Sequence, residues 1–264
     1  MPELPEVETV VRGLRAVLSG REIDEIASYR EGTVYDERKT EGEYGKVTGI
    51  RRRGKYILID TDSGMTVMVH LRMTGKLVFN QPIDESGHCR AEVKFFDQTN
   101  LVFDDVRTFG KIILWDTRDE EEKLSSLGPE PLGDKFNEEY LTQKLSGRLT
   151  PIKNALLDQR VTAGLGNIYV AEILHRAGVS PLRESRSMKK AEILLIINKT
   201  KEILIEAVAK NGTTISDYRS VENKTGEFQR FLRVYGKTQC HCGSAIKRVK
   251  QAGRTTYYCP VCQK

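Results

Sequence analysis

The first residues of the chain place a secondary amine next to carboxylates. Pro2 follows Met1, and the acids Glu3 and Glu6 come directly afterwards. Removal of Met1 would leave Pro2 with a free α-amine, whose pKa of about 8 keeps a useful fraction unprotonated at neutral pH. Such an amine can attack a sugar C1′ and form an iminium while a nearby carboxylate moves protons. Taken alone, however, the segment is explained more simply as a helix start, where proline and acids are favoured.

The cysteines near the end of the chain have the spacing of metal ligands. They form two close pairs separated by sixteen residues, namely Cys240 with Cys242 and Cys259 with Cys262. Four thiolates can bind one Zn²⁺ tetrahedrally. The segment between the pairs alternates like a β-hairpin with Gly253 at its tip, and such a hairpin buries little core, so metal would supply its stability. We therefore expect one structural Zn²⁺.

Three internal segments contain residue types that contact nucleic acids. Residues 51–55 carry four cations and lead into a predicted strand, so their side chains could bind DNA phosphates. A solvated edge strand that is protected by charged side chains would have the same composition. An enzyme that flips a base out of a duplex needs side chains to fill the gap. Met73 and Phe109 are apolar and could fill it, and Arg107 could hydrogen-bond the unpaired partner base. Composition alone explains Met73 and Phe109 better as core residues. Glycines in residues 159–167 precede a helix start, which can hold an anion but normally marks a turn.

The distribution of charge indicates a polyanionic partner. The whole chain has a net charge of +5, yet residues 226–264 carry +7 and residues 1–225 carry −2. No segment approaches the roughly 18 apolar residues that span a membrane. The first ten residues are acidic and lack the features of a signal peptide. Clustered cysteines without an export signal favour metal ligands over disulfides, so we expect a cytoplasmic protein.

The periodicity of apolar residues outlines the elements that would position these groups. Apolar residues from Val7 to Leu18 follow helical spacing and predict a helix over about residues 3–19, closed by Gly20. Short β-prone segments in residues 22–116 predict a β-sandwich or a barrel-like domain. They are residues 56–61, 65–70, 91–96, 101–104 and 111–115. From Gly128 onward the pattern is helical, and residues 213–230 read as a mobile loop. Helices are predicted over 137–145, from the pair Thr150-Pro151, over 167–177 and over 187–210.

The N-terminal string Met-Pro-Glu-Leu-Pro-Glu-Val-Glu-Thr-Val resembles the signature of the formamidopyrimidine-DNA glycosylases. The resemblance implies that Pro2 is the nucleophile, Glu3 the catalytic acid and base, and Glu6 a supporting residue. The run of residues 51–56 resembles the basic turn of that family, and Lys55 would be its lysine beside the damaged nucleotide. The resemblance continues in the family's motif order to Lys264.

The same resemblance assigns the contacts with DNA and with metal. Residues 70–75 and 105–110 match the family's void-filling segments, residues 159–169 its helix–two-turn–helix element, and the cysteine segment its zinc finger. The implied DNA contacts are Met73, Arg90, Arg107, Phe109, Lys153, Asn167 and Arg254. The implied zinc ligands are Cys240, Cys242, Cys259 and Cys262.

The sequence departs from the family pattern at two places. The first cysteine pair is Cys-x-Cys where the family has Cys-x-x-Cys, which puts zinc affinity in doubt and leaves His241 as a possible substitute ligand. At residues 87–90 the family commonly has a His-Asp-His-like run, whereas this chain has Gly-His-Cys-Arg, in which Arg90 could keep a phosphate contact. Cys89 there is expected to be buried and inactive.

The resemblance implies an α+β protein of two domains, with a zinc hairpin ending the second. A β-sandwich with a flanking helix would occupy residues 1–130, a helical DNA-binding part 131–226 and the zinc finger 227–264. The implied activity is removal of 8-oxoguanine and formamidopyrimidines from double-stranded DNA, followed by β,δ-elimination at the abasic site. We expect a monomer that binds DNA and no membrane, with a lid at about residues 213–228.

Two alternatives remain open. One is an endonuclease VIII-like preference for oxidised pyrimidines, against which Leu4 and the set Met73, Arg107 and Phe109 argue. The other is a catalytically silent binder of damaged DNA, against which the retention of Pro2, Glu3, Glu6 and Lys55 argues.

Overall fold

A computed structural model describes residues 1–39, 42–83, 87–213 and 226–264. The chain divides into two compact units. The first unit contains residues 1–125 and 210–227, and the second contains residues 126–209 and 228–264. The domain boundaries predicted from the sequence stay a prediction.

The first unit is a β-sandwich with one long helix and one short helix. Its helices are α1 (Leu4–Leu18) and α2 (Glu120–Leu124). Its strands are β1 (Ile23–Ser28), β2 (Val34–Asp36), β3 (Val47–Arg53), β4 (Tyr56–Thr61), β5 (Met65–His70), β6 (Lys76–Phe79), β7 (Cys89–Phe95), β8 (Asn100–Asp104) and β9 (Lys111–Asp116). One sheet has the order β1-β7-β8-β6 and the other the order β2-β9-β5-β4-β3. All pairings are antiparallel except that between β2 and β9.

Helix α1 closes one side of the sandwich core. Its apolar stripe, from Val7 to Leu18, is buried in one cluster with residues of both sheets, such as Ile57 and Phe103. The stripe recurs at helical spacing, so burial against the sheets stabilises the helix more than propensity does. The predicted helix is confirmed, as are the predicted β-sandwich and the strands over 56–61 and 65–70.

The second unit is helical and ends in a hairpin. Its elements are α3 (Glu138–Leu145), α4 (Ile152–Leu157), α5 (Asn167–Arg176), α6 (Lys190–Ala209), β10 (Lys247–Gln251) and β11 (Arg254–Tyr258). The side chain of Asn137 accepts the N–H of Tyr140 at 3.0 Å, which confirms the predicted cap of α3. At α4 the N-cap is Pro151, one residue later than the predicted cap.

The hairpin turn of β10 and β11 requires left-handed backbone at two successive residues. Ala252 has a φ of 45° and Gly253 a φ of 74°. Two such residues form the tight turn whose twist matches that of the paired strands. The predicted hairpin with Gly253 at its tip is confirmed.

Candidate functional site

The predicted nucleophile and its carboxylates lie at the start of α1. Pro2, Glu3 and Glu6 are buried. The side chain of Glu3 caps the helix, and Glu6 accepts the N–H of Glu3 through Oε2 at 2.8 Å. This reciprocal arrangement is a capping box, which satisfies N–H groups that have no partner within the helix. The spacing of the two acids therefore builds the helix start as well as the candidate site.

The second oxygen of Glu6 holds a distant segment of the first unit. Glu6 Oε1 accepts the N–H of Thr213 at 2.7 Å. Gly212 precedes it with a φ of 74°, and a Cβ on Gly212 would lie 2.6 Å from Glu6 Oε1. Gly226 is as confined, because a Cβ there would lie 2.3 Å from the carbonyl oxygen of Gly212. Glycine is thus required at 212 both by conformation and by space.

Thr213, which precedes positions 214–225, is therefore anchored at Glu6, and Gly226, which follows them, lies against Gly212. The N–H of Glu227 also donates to the carbonyl of Lys210 at 3.0 Å. Most of the predicted lid lies outside the described residues, and so does most of the mobile loop predicted over residues 213–230.

Lys55 occupies a buried position near His70. Burial, with the charges of Arg72 and Lys55, lowers the pKa of His70 to about 3, so the imidazole is neutral. His70 Nδ1 accepts the N–H of Arg72 at 2.9 Å, and its ring packs edge-on against Tyr56 with the centroids 4.8 Å apart. His70 therefore holds the backbone of the segment that carries Met73.

Two cations of the run at residues 51–55 are engaged inside the first unit. Arg51 pairs with Asp60 and Glu120, and Arg52 pairs with Glu8 at 3.0 Å. These ion pairs account for both side chains without a phosphate. Within residues 51–55, Lys55 remains a predicted contact with DNA.

The void-filling candidates are apolar side chains that the fold leaves exposed. Met73 is 40% exposed and Phe109 is 51% exposed, so the interpretation of both as core residues is wrong. Arg107 lies over the ring of Phe109, with its guanidinium carbon 5.0 Å from the ring centroid. Val106 is exposed beside them and was not singled out from the sequence.

A buried carboxylate joins the two segments that carry these side chains. Asp105 is fully buried, and its Oδ1 accepts the hydroxyl of Thr74 and the N–H of Arg107, the latter at 3.2 Å. Its Oδ2 accepts the N–H of Gly110 at 2.7 Å. Arg90 donates from Nε to the carbonyl of Asp105 at 2.8 Å. Sequence reasoning missed Asp105 and Thr74, because hydrogen bonds to a backbone in another loop leave no local pattern.

Cys89 lies beside Arg90 and is only half-buried, so the expectation that it is buried is wrong. Its Sγ donates to the carbonyl of Ala91 at 3.5 Å. Burial, and to a smaller extent the nearby acids Glu92 and Asp104, raises the pKa of the Cys89 thiol, which agrees with the expectation of an inactive cysteine.

In the second unit the predicted phosphate contacts converge on the start of β11. Lys153 is fully buried, and its Nζ donates to Thr256 Oγ1 at 2.6 Å. Asn167 Nδ2 donates to the carbonyl of Thr255 at 3.0 Å. Arg254, which begins the strand, is exposed. The fold therefore brings three residues from distant parts of the sequence to the start of β11. The side chains of Lys153 and Asn167 donate hydrogen bonds to the hairpin itself.

The glycine-rich loop before α5 is shaped by one amide side chain. Gln159 donates to the carbonyls of Leu157 and Leu165 and accepts the N–H of Gly164 at 2.9 Å. Gly164 has a φ of 89°. The loop therefore delivers Asn167 to the first turn of α5 in a fixed position.

The four cysteines form a cluster with the geometry of a zinc site. All four Sγ atoms lie within 4.8 Å of one another. Cys240 and Cys262 are 3.8 Å apart, and Cys242 and Cys259 are 3.5 Å apart. Zn–S bonds of about 2.3 Å in a tetrahedron separate the sulfurs by about 3.8 Å. The donor set fits one structural Zn²⁺, so the shortened first pair does not prevent four thiolates from meeting.

Family models match three stretches of the chain. The formamidopyrimidine-DNA glycosylase N-terminal domain matches residues 1–112, and the H2TH domain of the same enzymes matches residues 127–219. A zinc finger found in FPG and IleRS matches residues 241–264. The chain belongs to the formamidopyrimidine-DNA glycosylase family. The zinc-finger match begins after Cys240 and so contains three of the four cysteines.

Relatives of known name cover the whole chain. The formamidopyrimidine-DNA glycosylase of Dinoroseobacter shibae is 40% identical, and that of Jannaschia sp. is 39% identical, each over 100% of both chains. A Lactococcus lactis Fpg variant solved with Fapy-dG-containing DNA is 36% identical, with a TM-score of 0.91 over 100% of both chains. The MutM (Fpg) protein of Thermus thermophilus is also 36% identical, with a TM-score of 0.89 over 99% of this chain and 98% of that one. Within the described residues, no helix is long and apolar enough to cross a membrane.

Proposed function

We propose that this protein excises oxidised purines, 8-oxoguanine and formamidopyrimidines, from duplex DNA and then cuts the strand at the abasic site. The observation that carries the proposal is the carboxylate of Glu6, which is held by N–H groups from both sides at the start of α1 in a chain of this family. That arrangement fixes Glu3 and the adjoining Pro2 in place. The Fpg structures solved with Fapy-dG DNA and with abasic DNA support the same class of substrate.

In the proposed reaction, the amine of Pro2 acts after Met1 has been removed. Its lone pair forms a bond to C1′ of the damaged nucleotide, and the bond between C1′ and the base breaks. Glu3 moves the protons that the departing base and the opening sugar require. The C1′–O4′ bond opens to give the Schiff base, after which β-elimination breaks the C3′–O bond and δ-elimination the C5′–O bond. Both strand ends keep their phosphates, and water then releases the sugar remnant from Pro2.

Met73, Arg107 and Phe109 are proposed to occupy the gap left by the flipped nucleotide. The exposure of both apolar side chains supports this role, since an apolar wedge must be free to enter a base stack. Lys55 and Arg90 are proposed contacts of the first unit with DNA. Lys153, Asn167 and Arg254 are proposed to position phosphates for the second unit, and their convergence at the start of β11 supports this role.

Borohydride trapping tests the nucleophile. Protein whose intact mass shows loss of Met1 should form a covalent adduct with a duplex containing 8-oxoguanine. Pro2→Gly should reduce trapping, and Glu3→Gln should stop base excision. Glu8→Gln is a matched control, because Glu8 lies on the same helix and pairs with Arg52. Absence of an adduct from protein lacking Met1 would refute the role of Pro2.

A panel of substrates distinguishes the alternatives. Faster cleavage of oxidised purines than of oxidised pyrimidines supports the proposed specificity, whereas the reverse order supports the endonuclease VIII-like alternative. Binding of damaged duplex without excision of any base would support the silent binder. We also propose a monomer that works in the cytoplasm on the DNA there.

A further inference from the structure

Helix α5 is fastened to the zinc finger at three points. Asn167 at its first turn donates to the carbonyl of Thr255 in β11. Glu172 is fully buried in its middle and accepts the N–H groups of Arg233, Val234 and Tyr235, each at 2.9 Å. Near its end, Nε2 of His175 lies 3.3 Å from Sγ of Cys240. Asn167 and His175 are separated by about 12 Å along the helix axis.

The burial of His175 restricts which of its nitrogens carries the proton. The side chain is 4% exposed, and Nδ1 is buried without a hydrogen-bond partner among the described residues. A proton on Nδ1 would bury an N–H group without an acceptor and would turn the Nε2 lone pair towards a thiolate. A proton on Nε2 avoids both costs. These costs favour the tautomer in which Nε2 of His175 carries the proton and faces Sγ of Cys240.

We propose that His175 is a positioning residue of the zinc centre, whose Nε2–H donates to the thiolate of Cys240 and ties the metal site to α5. Four thiolates around one Zn²⁺ carry an excess of negative charge, which hydrogen-bond donors to sulfur reduce. Cys240 is itself 4% exposed, so water does not replace a lost donor easily. The bond secures one cysteine of the shortened first pair.

His175 is proposed as a donor and not as a fifth or substitute ligand. The four Sγ atoms all lie within 4.8 Å of one another, and four thiolates supply the donors of a tetrahedral site without a histidine. His241 lies beside the same sulfur, with Nδ1 3.4 Å from it, but His241 is exposed. Water can replace His241 there, which makes it a matched control for His175.

Nuclear magnetic resonance of the protein without any substitution tests the tautomer of His175. In the zinc-loaded full-length protein, the ¹⁵N chemical shifts of His175 should show a protonated Nε2 and an unprotonated Nδ1. The opposite tautomer would overturn the proposal.

Variants test the effect on the metal. His175→Phe keeps an aromatic ring and loses the donor, so zinc affinity in chelator competition should fall about tenfold. His175→Gln restores a side-chain N–H and should retain more affinity than His175→Phe. His241→Phe should have a smaller effect. Equal losses for His175→Phe and His175→Gln, or for His175→Phe and His241→Phe, would overturn the proposal.

Cobalt substitution separates a donor from a ligand. In His175→Phe, loss of the hydrogen bond should shift the sulfur-to-cobalt charge-transfer band while the d–d bands keep the pattern of four thiolates. A change in the d–d pattern would mean that His175 is a ligand, and an unshifted charge-transfer band would mean that the side chain only fills space.

Discussion

Replacement of Gly212 by alanine probes the contact that fixes Glu6. Gly212 has a φ of 74°, a conformation that costs other residues about 1–2 kcal/mol. Its added Cβ would lie 2.6 Å from Oε1 and 2.9 Å from Cγ of Glu6. Glu6 would have to move, and the bond from the N–H of Thr213 would break.

The expected loss follows from these two effects. Loss of a hydrogen bond to a charged group costs about 1.5–3 kcal/mol. With the conformational cost added, the free energy of unfolding should fall by roughly 2.5–5 kcal/mol. Because Glu6 also holds the N–H of Glu3, single-turnover excision of 8-oxoguanine should slow by at least about tenfold, the factor that 1.4 kcal/mol corresponds to.

Gly20→Ala supplies the matched control at the other end of α1. Gly20 has a φ of 79°, and nothing lies within 4 Å of its Cβ position. This variant should therefore lose only about 1–2 kcal/mol and excise 8-oxoguanine at the normal rate. Denaturant unfolding and single-turnover excision would measure both variants. Equal destabilisation by the two substitutions, with unchanged excision in Gly212→Ala, would refute the reasoning.

Three further perturbations test the buried polar residues. Asp105→Asn leaves at least one buried donor without an acceptor, so stability should fall by about 1–3 kcal/mol in denaturant titration and affinity for abasic duplex should weaken. Glu172→Gln should release zinc faster to a chelator, because an NH₂ group would face backbone N–H groups that now donate to the carboxylate. The pKa of His70 is about 3 when folded and about 6.5 when unfolded, so the unfolded chain binds the extra proton between these values. Stability should therefore decrease as pH falls through that window, by up to about 1.4 kcal/mol per pH unit, and His70→Gln should remove this part in pH-dependent unfolding.

The two acid substitutions each have a control of the same chemistry. Asp24→Asn and Glu139→Gln alter exposed carboxylates and should leave DNA affinity and zinc release unchanged. If the buried and exposed variants behave alike, the assigned hydrogen bonds are not what holds the loops and the finger. If His70→Gln keeps the acid sensitivity of the parent protein, the proton uptake belongs to another group.

Elements and sites that depend on the spacing of residues close together in the sequence were predictable. The stripe from Val7 to Leu18 determines α1, because helical periodicity alone states which face is buried. The strands over 56–61 and 65–70 were predictable because a short turn at Ser63-Gly64 separates two apolar runs. The zinc cluster was predictable because thiolates in pairs have few other uses.

Residues that act on a distant backbone were not predictable. Asp105 and Glu172 look like ordinary acids in the sequence, yet each accepts backbone N–H groups that the fold turns inward. Arg51 and Arg52 show the reverse case. Their composition suggested phosphate contacts, whereas acids from other elements neutralise them, which no local spacing reveals.

The loops that carry Met73 and Phe109 are held in shape before any DNA is bound. Arg72 and Thr108, which precede these residues, have φ values of 52° and 59°, and such backbone costs a non-glycine residue about 1–2 kcal/mol. The hydrogen bonds of the buried Asp105 offset that cost, since they fix both loops at once. Two apolar side chains thus remain exposed without collapsing onto the sandwich. If these side chains act as the proposed wedge, they do not have to be ordered during base flipping, and less of the interaction free energy with DNA is spent on ordering them.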